Sequence, residues 1–169
     1  MSVWAQGFSY RMDAPQDEPP ESPQLEQELV ALLASTADLR LGTHMIHFNI
    51  KGVTAYQNHL LAERIYESLN EAVDEVGEHI RSMGVDVPNS TRDLIEYSIL
   101  PPLTDASDPD VALPELAAAC ETLRDAWNEV GNEADDLGDQ LTVDLAGGQA
   151  RLHAKNAYFV NSIIQKAGK

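Results

Sequence analysis

Apolar residues recur at helical spacing along four long stretches of the chain. Leu25, Leu29, Leu32, Leu33, Ala37, Leu41 and Met45 predict a first helix from Pro23 to about Lys51. Ser22 is its N-cap, Pro23 takes the first helical position and Gly52 stops it. Leu61, Ile65, Leu69, Ala72, Val76, Ile80 and Met83 form the stripe of a second helix, from Thr54 to Gly84 with no proline inside it. Thr54 and Gln57 read as a capping box at its start. A third helix follows Leu116, Cys120, Leu123, Trp127 and Val130 from about Pro114 to near Asp136, and Gly138 breaks it. The fourth runs from about Leu141 to Gln165 through Leu145, Leu152, Tyr158, Phe159 and Ile163, weakened early by Gly147 and Gly148. Residues 84–113 carry Pro88, Pro101, Pro102 and Pro109 and one short helix, Thr91 to Leu100. Two helix hairpins joined by one long crossover predict an all-α four-helix bundle.

Ahead of the bundle, residues 1–21 hold Trp4, Phe8 and Tyr10 and then an acidic run through Pro15, Pro19 and Pro20. They read as an extended acidic N-terminal arm, and residues 22–169 as one domain. The 169 residues suffice for a sizeable core. Eleven basic against 28 acidic residues give a net charge of −17, which attracts cations and disfavours non-specific binding to nucleic acid. Cys120 is the only cysteine, so no intrachain disulfide forms. There is no apolar run of membrane-spanning length and no basic-then-apolar leader. A soluble, cytoplasmic protein is the plain expectation.

The second helix carries candidate chemistry on the side opposite its apolar stripe. His59, Glu63, Asp74 and Glu78 fall within roughly a 100° arc of one helical face. His59 with Glu63 is one pair a turn apart, and Asp74 with Glu78 is another, about 22 Å further along the axis. One metal site cannot span that gap. His59 and Glu78, however, stand symmetrically about the midpoint between Ser68 and Leu69, as do Glu63 and Asp74. Two copies of the helix lying antiparallel across a twofold axis would set each His59/Glu63 pair against an Asp74/Glu78 pair of the partner. Gly77 would then face the partner's Leu60, which gives a reason for a mid-helix glycine. His47, near the end of the first helix, can reach the start of the second and complete the set. Mixed imidazole and carboxylate donors suit iron, with zinc, manganese and cobalt as competitors. Few nitrogen donors among carboxylates favour Fe(III) over Fe(II). A solvated acidic surface explains any one of these residues alone, but not the shared arc together with the mirrored spacing.

His47-Phe48-Asn49-Ile50-Lys51-Gly52, then His59-x3-Glu63, then Asp74-x3-Glu78, resembles the signature of the Dps family, the DNA-binding proteins from starved cells. The likeness covers residues from about 22 to 167. It implies a ferritin-like four-helix bundle with the short helix in the crossover, assembled into a hollow dodecamer. It also implies ferroxidase centres at twofold interfaces that oxidise Fe(II) with hydrogen peroxide or dioxygen, and a ferric mineral stored inside. By position, His47, His59 and Glu63 would bind a di-iron or mononuclear centre from one subunit, and Asp74 and Glu78 from its partner, with zinc or manganese able to substitute. Glu63 stands where the family usually has Asp, and Phe48 where Trp is usual. The Glu-x-x-His pairs of ordinary ferritins are absent, which argues against a di-iron site inside one bundle.

Other residues are open to two readings. Asp136, Asp139 and Asp144 lie where the family lines a threefold pore, and they either steer Fe(II) inward or form a solvated acidic corner. His44 is an extra metal contact or proton acceptor, or else a structural histidine. Cys120 lies on an apolar stripe and reads as core. Family members that bind DNA often use a basic arm. Here the N-terminal arm is acidic and the other end offers only Lys166 and Lys169, so strong DNA binding is not expected. The alternatives to an iron-oxidising store are a DNA-shielding protein and an assembly whose interface metals are structural.

Overall fold

The computed structural model describes residues 22–167, with side chains to Ile164. The N-terminal arm and the last two residues lie outside that range, as does the side chain of Lys166. The described chain holds five helices: α1 (Pro23–Asn49), α2 (Ala55–Ser82), α3 (Thr91–Ile95), α4 (Pro109–Leu137) and α5 (Gln140–Ala167). Helix α1 packs on α2, α4 on α5, and the two hairpins join through α1–α4 and α2–α5 contacts, while α3 lies against α1. Cross-helix bonds set the directions. Ser22 Oγ donates to Glu133 at one end of α1, and Lys51 N–H donates to the Ser107 carbonyl at the other, so α1 and α4 are antiparallel. Gln149 to Glu75 and Asn156 to Ser68 make α2 and α5 antiparallel as well. The bundle, its crossover and the short crossover helix all match the sequence expectation.

Capping chemistry explains most helix ends. Ser22 accepts from Leu25 N–H, and Asp108 accepts from Asp110 N–H with Pro109 next to it. Helix α4 therefore starts five residues before Pro114, which sits inside it. A proline so near the start removes only one intrahelical bond, and the added turn buries Ala112 and Leu113. The expected capping box at Thr54 does not form. Thr54 makes no side-chain cap bond, and its hydroxyl instead accepts from Asn58 Nδ2 at 3.1 Å. The crossover helix is also shorter than expected, ending at Ile95.

The core is built from the four predicted stripes, with local changes. Ile65, Leu69, Val76 and Ile80 of α2 are fully buried against Leu29, Leu116, Leu123 and Trp127. In α1 the stripe rotates after Leu33: Leu39, Thr43 and Ile46 point inward, while Leu41 and Met45 are exposed. Tyr158 of α5 is likewise exposed. Helices α4 and α5 approach closely at Gly131, where a Cβ would come within 3.3 Å of Ala146 Cβ. At Gly77 a Cβ would meet only Leu33 at 3.9 Å, an ordinary contact, so packing within the chain does not require that glycine. Gly138 ends α4 in the left-handed region at φ 76°, where a side chain is strained.

Two consequences are measurable. Gly138→Ala is expected to lower unfolding free energy by about 1 kcal/mol in denaturant titrations, since the backbone conformation must be kept without glycine. His153 is fully buried with no hydrogen-bond partner among the described residues at either ring nitrogen, and burial pushes its pKa down to about 4 from 6.5. Above pH 6.5 neither folded nor unfolded chain protonates it. Below that the unfolded chain takes up a proton that the folded chain refuses, so stability falls with acid. The loss should approach about 1.4 kcal/mol per pH unit toward pH 4. His153→Leu should flatten that part of the stability–pH curve measured by thermal melts.

Candidate metal centre

The α1–α2 turn brings His47 and His59 together by a pair of crossed hydrogen bonds. His59 Nδ1 lies 2.8 Å from the His47 carbonyl, and His47 Nδ1 lies 3.3 Å from the His59 carbonyl. The His47 carbonyl is free for this role because it sits in the last turn of α1. Ile50 N–H bonds Ile46, and Lys51 N–H turns away to Ser107, so no backbone donor reaches it. A carbonyl can only accept, so each Nδ1 carries a proton, and in the neutral tautomer this selects, Nε2 is the nitrogen with the lone pair. The two rings stack with centroids 3.8 Å apart.

Glu63, one turn after His59 on α2, completes the cluster. Among the described residues, His47, His59 and Glu63 form a group of potential ligands whose donor atoms lie within 4.8 Å of one another. All three are half-buried. Two imidazole nitrogens and a carboxylate oxygen are a donor set that takes Fe(II), zinc or manganese. The backbone carbonyls behind the rings do what outer-shell partners of metal-bound histidines generally do, fixing tautomer and orientation.

Asp74 and Glu78 are placed differently. Both are exposed on the same outward side of α2, further along the helix, and a single chain does not bring them to the histidines. His44 and Phe48, together with Tyr66, which the sequence did not single out, complete the surroundings. His44 is sandwiched between Phe48 and Tyr66, with ring centroids at 4.4 and 4.3 Å, and Tyr66 also meets His47 edge-on at 5.2 Å. Partial desolvation, and then the charges of Glu63 and Glu67, push the Tyr66 phenol above its ordinary range, so it stays protonated at neutral pH. Its position three residues after Glu63 was the available signal. Around this end of the hairpin Met45, Phe48, Val53, Tyr56 and Leu60 are exposed, an apolar rim beside the ligand group.

The acidic turn between α4 and α5 has a structural task for one of its three carboxylates. Asp139 caps α5, accepting from Thr142 N–H at 3.1 Å and from its hydroxyl at 2.6 Å. Thr142 in turn accepts from His79 Nε2 at 2.8 Å, and burial lowers the His79 pKa, so this ring gains a partner that the sequence did not name. Asp136 and Asp144 remain exposed. Cys120 is buried in the core, and burial pushes its thiol up to about 12, which leaves it unreactive.

If the crossed bonds prepare both histidines for a metal, His47→Ala or His59→Ala should weaken Co(II) binding by about 10–100-fold, read from its visible absorption. Cys120→Ala should leave it unchanged.

Comparison with known proteins agrees with this architecture. A family model described as the ferritin-like domain matches residues 26–169. An uncharacterized protein of Haemophilus influenzae is 30% identical over 121 residues, covering 70% of this chain and 76% of its own. The DNA protection during starvation protein of Listeria innocua is 25% identical over 104 residues, covering 60% of this chain and 67% of its own. Among solved structures, DpsC from Streptomyces coelicolor superposes with a TM-score of 0.82 at 23% identity, covering 95% of both chains. Dps from Thermosynechococcus elongatus gives 0.80 at 19%, covering 83% of this chain and 90% of that one. The bundle with its crossover helix, the match along nearly the whole domain and these relatives agree: the chain belongs to the ferritin-like family and, within it, to the Dps group.

Proposed function

We propose that this chain is the subunit of a mini-ferritin that oxidises Fe(II) at centres shared between subunits and stores the ferric product inside a hollow shell. The observation that supports it most is the pair of histidines held by each other's backbone with Nε2 free, next to Glu63. In this reading iron is the substrate. His47, His59 and Glu63 supply one half of each centre, and the partner's Asp74 and the partner's Glu78 supply the other. One imidazole-rich half carrying a single carboxylate leaves much of the iron's charge unbalanced, and two more carboxylates offset it. The exposed position of Asp74 and Glu78, on the same side of α2 as His59, suits a second copy lying antiparallel across that helix. The apolar rim of Met45, Phe48, Tyr56 and Leu60 would be covered by the same contact.

With peroxide as oxidant, two Fe(II) each give one electron. The O–O bond breaks, and two protons are taken up to form two waters, without one-electron release of hydroxyl radical. Dioxygen is the alternative oxidant. Twelve subunits in a closed shell, working in the cytoplasm, complete the proposal, and protection against oxidative damage is its consequence. The net charge of −17 concentrates Fe(II) near the surface and opposes DNA.

Anaerobic Fe(II) loading of the assembled protein followed by peroxide tests the centre, with ferric absorbance and a radical trap as readouts. His59→Ala combined with Asp74→Ala should slow oxidation by about 10–100-fold. Equal rates in variant and parent would remove these residues from the reaction, and tight zinc without iron turnover would favour a structural metal. A gel shift at physiological ionic strength should show no DNA complex; one that persists there would restore the DNA-shielding alternative.

A further inference from the structure

A second group of oxygen donors lies on the flank of α2 that forms its groove with α5. A cavity of about 230 Å³ opens there, lined by Ser68, Glu71, Ala72 and Glu75 of α2 and by Gly148, Gln149 and Leu152 of α5. None of these residues belongs to the histidine centre. Gly147 and Gly148 leave this part of the α5 wall without Cβ atoms, the Arg151 guanidinium lying over them at the edge of the groove, and α2 and α5 share a much thinner interface than the α1–α2 or α4–α5 pairs.

Gln149 stands out within this groove. It is 2% exposed, and its Nε2 donates to Glu75 Oε2 at 2.7 Å, which brings its amide end to the carboxylates. Its Oε1 is buried and has no hydrogen-bond partner among the described residues. A buried amide oxygen left unpaired is destabilising, and it points to a missing donor or cation. Glu71 and Glu75 are one turn apart on the same face, a like-charge arrangement that is itself unfavourable. A single positive ion relieves both.

We propose that the α2–α5 groove holds a hard divalent cation, with Glu71, Glu75 and Gln149 Oε1 as its oxygen donors. Ser68 Oγ lines the same cavity, and the volume leaves room for several waters, each taking about 30 Å³. Carboxylate, amide and water oxygens without imidazole or thiolate select ions of the calcium or magnesium kind over zinc or copper. The ion bridges α2 to α5, whose shared interface is thinner than that within either hairpin, so its effect is to fasten the two hairpins together. This proposal is independent of iron oxidation at the histidine centre.

Calorimetric titration of the assembled, iron-free protein with Ca²⁺ in 0.15 M NaCl tests it, with D74A as the control that separates calcium held by the carboxylates of the histidine centre. One saturable Ca²⁺ per chain is expected, with a rise in melting temperature. E75Q and Q149L should each weaken binding by at least about tenfold, Q149E should strengthen it, and H59A should leave it unchanged. E71Q, a substitution at an exposed position that circular dichroism can confirm as folded, should weaken it too. Unsaturable heat that disappears in salt, or affinity unaltered in E71Q and E75Q, would overturn the site and leave only diffuse counterion binding to an acidic surface.

Discussion

The crossed hydrogen bonds between His47 and His59 fix the geometry of the candidate metal centre. Each ring borrows a carbonyl from the segment that carries the other, so the end of α1 and the start of α2 must be fixed relative to one another before either histidine is aligned. That alignment depends in turn on Lys51, whose N–H reaches across to Ser107 and leaves the His47 carbonyl free. The crossover that joins the hairpins therefore takes part in aligning the two candidate ligands. A helix end normally leaves carbonyls for water. Here one of them sets a tautomer.

Helix α2 serves two surfaces at once. Ile65, Leu69, Val76 and Ile80 anchor one side in the core. His59, Glu63, Asp74 and Glu78 occupy the opposite side, half-buried or exposed. Because the core side is completely buried, the helix cannot rotate to hide the ligand side without losing several large apolar contacts. The candidate ligands are thus presented outward rigidly and stay exposed unless another surface covers them.

Acidity has separate local meanings in different parts of the chain. Asp139 is spent on capping α5 and anchoring Thr142, through which the far end of α2 is reached at His79. Asp136 and Asp144 stay exposed and contribute to the field around the turn. Arg124 pairs with its neighbour Asp125 at the surface, where such a bond adds little to stability. The same residue type caps, pairs or simply solvates according to what stands within 3 Å of it.

Period and spacing were enough to read the four long helices, their order and the outward arc of His59, Glu63, Asp74 and Glu78, because an α-helix repeats rigidly and translates sequence offsets into angles. His47 could be placed near His59 because the turn between the helices is short. Features that depend on distant residues were not legible. The start of α4 at Pro109 rests on burial of Ala112 and Leu113, which outweighs the proline at 114, and the rotation of the α1 stripe past Leu41 rests on what α2 and α4 press against it. Nor could spacing reveal that Thr54 would bond Asn58, that His79 would find Thr142 on α5, or that Tyr66 would stack on His44. The sequence by itself determined which residue types face which way along each helix, since that follows from local geometry. Only the tertiary structure decided which nitrogen of each histidine is free, because the carbonyls that choose it belong to the other helix.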